Sequence, residues 1–155
     1  MKSLIIFISA IIFACFIPGC KSQKAGCQSE INKELKISWG EYYPKEAIMK
    51  GYELTNDAEL YSITRKLNKD IDLQKIGKLD NEKYCDIVNN LEKMFLKVQV
   101  INVPADTSRF IEYSNKTTSV TMRAIWNPVF ITETNSSFQF IYDSLQKYME
   151  QIPVR

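Results

Sequence analysis

The chain has 155 residues, 45% of them hydrophobic, and 20 Lys and Arg against 18 Asp and Glu give it a net charge of +2. It contains no histidine. That composition excludes a Ser-His-Asp triad, a Cys-His pair and any His-containing zinc site, and it lacks the basic footprint of a nucleic-acid binder.

Behind Lys2 an apolar run extends from Leu4 to Ile17. Its 14 residues fall short of the roughly 20 a membrane-crossing helix needs. They match the apolar region of a secretory signal. The run ends at Ile17-Pro18-Gly19-Cys20. These four residues resemble the lipobox of bacterial lipoproteins: an aliphatic residue, a variable one, Gly or Ala, then Cys. Pro18 stands where Ala or Ser is commoner. The resemblance implies that residues 1–19 are a signal peptide, that the Cys20 thiol carries a diacylglyceryl group and that the new amine is acylated, with palmitate-type chains. Acyl chains contribute about 0.8 kcal/mol per buried CH₂, and stable anchoring takes more than one chain. Lys21, in place of the Asp that retains such proteins at the inner membrane, implies a cell-envelope location at the outer membrane. The membrane is thus one expected partner, through lipid at Cys20.

The mature chain has 136 residues and a net charge of +1, enough for one domain with a real core. Residues 20–33 are polar and read as a lipidated N-terminus and flexible tether, leaving residues 34–155 as a single domain. Cys27 and Cys85 remain once Cys20 is lipidated, and an exported context makes them a candidate disulfide. A buried free Cys85 with an exposed Cys27 is the alternative.

In chain order, Leu35, Ile37 and Trp39 alternate with polar residues and predict a first strand. Residues 47–67 read as a hairpin with a four-residue loop, Asn56–Glu59. That loop pairs Leu54 with Tyr61, Tyr52 with Ile63 and Ile48 with Leu67, all on one face. Residues 72–79 predict a further short strand. Asp80 is an N-cap candidate, and Tyr84, Ile87, Val88, Leu91, Met94, Phe95 and Val98 keep helical spacing. Residues 100–108 read as a connector through Pro104. Residues 109–126 predict a second hairpin turning near Asn115, with Ile111 opposite Val120. Ser136 and Gln139 form a capping-box pattern ahead of a second amphipathic helix, Phe138 to Ile152. The fold class is α+β: an antiparallel sheet of five or six strands with two amphipathic helices packed on one face.

Candidate binding residues are Trp39, Tyr42 and Tyr43 in the aromatic run Trp39-Gly40-Glu41-Tyr42-Tyr43-Pro44, since aromatic anchors are enriched where partners dock. Phe110 and Arg123, beside Glu112, Thr121 and Ile125, mark a second candidate surface on the late hairpin. The carboxylates Glu41, Glu46, Glu53, Asp57, Glu59 and Asp72 have no spacing that fixes an acid–base pair. No metal or cofactor is expected; Asn68-x-Asp70-x-Asp72 lacks the glycine and closing Glu of a calcium loop.

The body resembles small uncharacterised bacterial lipoproteins. In layout alone it is similar to emfourin-type protein inhibitors of metalloproteases, with Trp39-Gly40-Glu41 where that family has a paired-glycine aromatic signature, so no functional residue transfers. The reading is a non-enzymatic, lipid-anchored envelope module that binds a protein partner. One alternative is an inhibitor or immunity-type protein that blocks a protease or toxin at the membrane; another is a carboxylate-dependent envelope hydrolase.

Overall fold

The computed structural model describes residues 26–66, 69–98 and 101–150. The signal segment, Cys20, the tether up to residue 25, Leu67 and Ile152 lie outside the described residues.

Residues Leu35–Tyr43 form β1, followed by β2 (Ile48–Thr55), β3 (Glu59–Lys66), β4 (Lys69–Lys78) and helix α1 (Asn81–Lys97). Then come β5 (Ile101–Val103), β6 (Ser108–Asn115), β7 (Val120–Trp126) and helix α2 (Glu133–Glu150). The strands make one sheet in the order β4-β3-β2-β1-β6-β7-β5. The expected α+β architecture is present, with seven strands among the described residues rather than five or six. The additional one is β5, inside the stretch read as a connector, and it runs parallel to β7.

The sheet face that the helices cover carries Leu35, Ile37, Trp39, Leu54, Leu60, Ile111, Tyr113, Ala124 and Trp126. Against it pack Tyr84, Ile87, Val88, Leu91 and Phe95 of α1 and Phe138, Ile141, Tyr142 and Leu145 of α2. Each such side chain contributes roughly 1.5–3 kcal/mol by leaving water. Phe95 and Phe138 join the two helices with ring centroids 5.1 Å apart.

The first hairpin departs from expectation by one residue. Leu54 lies opposite Leu60, and Glu53 opposite Tyr61. The loop has three residues, because Ala58 takes φ +60° and its amide donates to the Thr55 carbonyl at 2.9 Å. A left-handed third residue is the mark of a three-residue hairpin loop, but alanine does not announce it. The slip moves Tyr61 and Ile63 to the face opposite Leu54 and Tyr52. The second hairpin is displaced by four residues, with Ile111 opposite Ala124, and an even displacement leaves the faces unchanged.

Asp80 caps α1 as expected, accepting from the Lys83 amide at 2.8 Å. At α2 the cap sits four residues earlier than expected. Thr132 Oγ1 accepts from the Asn135 amide at 3.3 Å, and Asn135 Oδ1 accepts from the Thr132 amide at 2.8 Å, a reciprocal box. Gln139 instead accepts from the Trp126 indole at 2.9 Å.

The tether also ends earlier. Gly26–Gln28 and Glu30–Asn32 form short 3₁₀ turns docked on the body. A disulfide joins Cys27 to Cys85, with Cα atoms 5.3 Å apart. The Asn115 amide group donates to the Ile31 carbonyl and to Asn32 Oδ1, both at 3.0 Å.

Candidate functional site

Strand alternation sends every second side chain away from the helices, and on β1, β2, β6 and β7 the register aligns these residues in rows. Lys36, Ser114 and Thr121 form one row. Glu53, Ser38, Glu112 and Arg123 form the next. Gly51, Gly40, Phe110 and Ile125 follow, then Met49, Tyr42 and Ser108. The face thus grades from hydroxyl and lysine, through a band of charge, to an apolar end where Met49, Phe110 and Ile125 are buried with Tyr42 packed on them.

The band of charge is built around two carboxylates. The Glu53 side chain is only 2% exposed. It accepts from Lys36 Nζ at 2.6 Å, Arg65 Nη2 at 2.8 Å and Ser38 Oγ at 3.4 Å. Glu112 is nearly as buried and is held by both Nε and Nη2 of Arg123. Arg65 bridges the two, with Nη1 3.7 Å from Glu112 Oε1, and its Nε donates to Asp70 at 2.8 Å. Burial pulls the Arg65 pKa down, but the hydrogen bonds to Asp70 and Glu53 more than reverse it, so the guanidinium stands above its ordinary range. A hollow of about 370 Å³ lies over this lattice, lined by these groups together with Ser114, Lys116 and Thr121.

The structure separates the five candidate binding residues. Trp39 is 1% exposed and Phe110 is fully buried, so neither is a surface anchor: Trp39 faces the core and packs on Tyr52, and Phe110 fills the row beside Gly40 and Gly51. Tyr42 is half-buried against Phe110. Tyr43 is half-buried at the end of β1, with its hydroxyl on Glu41 and Lys50 above its ring. Arg123 alone reaches the charged hollow. Sequence reading missed Lys36 and Arg65 and weighed Glu53 only as one carboxylate of an acid–base pair, because the one-residue slip in the first hairpin hid that Glu53 and Arg65 share a face. Glu112 and Arg123, placed near each other on the late hairpin by the sequence, lie directly opposite across β6 and β7.

A second surface lies on the helical layer. Met94, Ser136, Ser137, Phe140 and Ile141 line a groove of about 470 Å³ between α1 and α2. Phe140 is exposed there, as are Val129, Phe130 and Ile131 in the loop before α2. Among the described residues no group of three or more His, Cys, Asp or Glu could hold a metal ion, and no helix is long and apolar enough to cross a membrane.

No family model matches this chain, and no curated protein or solved structure matches it.

Proposed function

We propose that this chain is a lipid-anchored protein of the bacterial cell envelope, at the outer membrane rather than the inner, that acts as a non-enzymatic module and binds a protein partner through the uncovered sheet face. The observation that carries the reading is two buried carboxylates and their cations on the face that no helix among the described residues covers. Desolvating charge makes buried ion pairs a weak source of stability. The same face buries Phe110, Met49 and Ile125 one or two rows away, so an apolar filling suits this surface too. Ordered, complementary charge serves recognition and orientation of a partner. Glu53 and Glu112 direct their oxygens to Lys36, Arg65 and Arg123, which argues against a carboxylate hydrolase.

The anchor rests on the Ile17-Pro18-Gly19-Cys20 resemblance. Cys20 lies seven positions before Cys27, a reach of at most about 25 Å when fully extended. A lipid on Cys20 would hold the body close to a bilayer.

The test is site-specific photo-crosslinking in the producing cell. A benzophenone side chain is placed at Thr121 on the sheet face or at Phe140 on the helical groove, with and without Cys20→Ala. The expected result is a discrete protein adduct from Thr121, none from Phe140, and loss of membrane sedimentation in Cys20→Ala. Adducts from Phe140 alone, or unchanged sedimentation of Cys20→Ala with an unmodified thiol by intact mass, would sink the reading. An adduct with a protease or toxin whose activity stops on binding would select the inhibitor role.

A further inference from the structure

We infer that the Lys36 end of the sheet face is a subsite for an acidic peptide segment, in which a carboxylate lodges over Ser114 and Thr121 between Lys36, Lys116 and Arg123. The inference rests on the reading of this face as the binding surface and names the chemistry it takes.

Depth and charge together point to an anion. Within the hollow the two buried carboxylates lie at the floor and are already paired, Glu53 with Lys36 and Arg65 and Glu112 with Arg123. The cations reach outward: Lys36 is 40% exposed and Arg123 37% exposed. Lys116, exposed in the turn after β6, also lines the hollow and has no ion-pair partner among the described residues. An entering ligand therefore meets N–H donors before it meets carboxylate oxygens.

The hydroxyls supply direction. Ser114 and Thr121 lie opposite each other, with Oγ and Oγ1 3.3 Å apart, and Lys36 flanks Ser114 on the next strand. Neighbouring strands are about 4.8 Å apart, so the Lys36-Ser114-Thr121 row spans about 10 Å, the width of one carboxylate with its donors on either side. Asp70, which is 42% exposed, pairs with Arg65 on the β4 side. It repels an anion from that end and so leaves the Lys116 end as the place for it.

Four cations against three carboxylates line the hollow. The surplus is a single positive charge, so the hollow as a whole attracts an anion. A peptide also explains the rest of the face. The row of Tyr42 lies six residues along β1 from Lys36, about 20 Å at 3.3 Å per residue, the length of an extended six-residue segment.

The test uses the full lipidated chain in phosphatidylcholine nanodiscs and a fluorescein-labelled hexaglutamate peptide, read by fluorescence anisotropy. Hexaglutamine is the uncharged control. The expected result is saturable binding of hexaglutamate alone, weakened at least about tenfold as ionic strength rises beyond the regime where exposed charges are felt. Lys116→Glu lies in an exposed turn without an ion pair, so its melting temperature should match wild type while binding falls tenfold or more. Thr121→Val, which replaces the hydroxyl with a methyl group of similar size, should lose several-fold. Equal binding of hexaglutamine, no binding of hexaglutamate, or unchanged binding by Lys116→Glu would overturn the assignment. So would displacement by inorganic phosphate at matched charge, which would make this a general oxyanion site. If Thr121 crosslinks a partner in cells yet hexaglutamate is refused, the acidic-peptide inference falls while the reading of the face stands.

Discussion

Gly40 and Gly51 oppose each other across β1 and β2, so close that a Cβ on Gly40 would lie 2.1 Å from the Lys50 carbonyl oxygen. A Cβ on Gly51 would lie 2.0 Å from the Trp39 oxygen. Neither clash is with a flexible side-chain end, so backbone must move. Gly51→Ala is expected to cost more than about 2 kcal/mol, read by urea denaturation; a loss within error would show that the strands can part freely. Ser119 presents the opposite case. It sits exposed in the late hairpin turn at φ +55°, where an L-residue is strained by about 1–2 kcal/mol. Ser119→Gly relieves that strain but gains unfolded-chain entropy worth about 0.4–1 kcal/mol, so a net gain of a few tenths to about 1 kcal/mol is expected, seen as a higher melting temperature. Glu53 decides the ion lattice. Removing it leaves Arg65, only 12% exposed, without the more buried of its two carboxylates at 2.8 Å, and breaking a buried pair costs about 3–5 kcal/mol. Glu53→Ala should lose at least about 3 kcal/mol. A loss below about 1 kcal/mol would mean that Asp70 and Glu112 take its place, within the range of an exposed pair.

At the scale of elements, the disulfide fastens the Gly26–Gln28 turn to α1 and closes a loop of 58 residues. On the chain-entropy account such a closure contributes about 4 kcal/mol. The double variant Cys27→Ser, Cys85→Ser should lose about that much under oxidising conditions, and wild type should lose the same on reduction. Equal stability of the two proteins in oxidising buffer would show that the bond is not made. The edge strand β4 handles a different hazard. Among the described residues its ten residues pair only with β3, and unpaired edges invite aggregation. Two register irregularities interrupt its pairing, and Lys69, Lys75 and Lys78 lie along it, devices that discourage a further strand. The caps of the two helices show how local chemistry competes. Ser136 and Gln139 offer one box, but Trp126 draws Gln139 into the core boundary and Thr132 with Asn135 starts the helix a turn earlier.

At the scale of the molecule, pH tests the balance of buried and paired groups. The Lys83 backbone amide holds the Asp80 carboxyl below its ordinary range, and Lys75 and Tyr61 do the same for Glu59. Groups lowered on folding stabilise above their unfolded pKa, so this contribution is intact at neutral pH and disappears as pH falls below about 4. Burial, with its hydrogen bond to Glu92, pushes the Tyr113 hydroxyl up to about 12, and burial raises Tyr84 and Tyr142. Groups raised on folding stabilise fully below the unfolded value near 10 and lose that stability as pH rises through the folded one. The urea midpoint should therefore be flat from neutrality to about pH 9.5 and fall toward pH 12, with a shallower fall in Tyr113→Phe. A midpoint flat to pH 12 would show that these phenols ionise without resistance.

The amphipathic period of α1, the Asp80 cap, the alternation of β1 and the inward face of β6 and β7 could be read from single residues, because each depends on neighbours within a turn or a strand. Parity survives an even register error, so the second hairpin's faces came through a four-residue displacement. The first hairpin's faces did not survive an odd one. Its register goes with Ala58 at φ +60°, where the Ala58 carbonyl accepts from the Leu79 amide at 2.9 Å, twenty-one positions away in the chain. The candidate site inherits that dependence: Lys36, Glu53, Arg65, Glu112 and Arg123 come from five strand segments and meet only once all the registers are set. The sequence by itself determined the two helices, six of the seven strands among the described residues and which apolar stripes seek burial, since hydrophobic period is local; the three-residue β5, too short to show a period, reads as a connector. Only the tertiary structure decided which charges share a face, because Coulomb pairing acts across strands whose alignment is set by contacts remote in the chain.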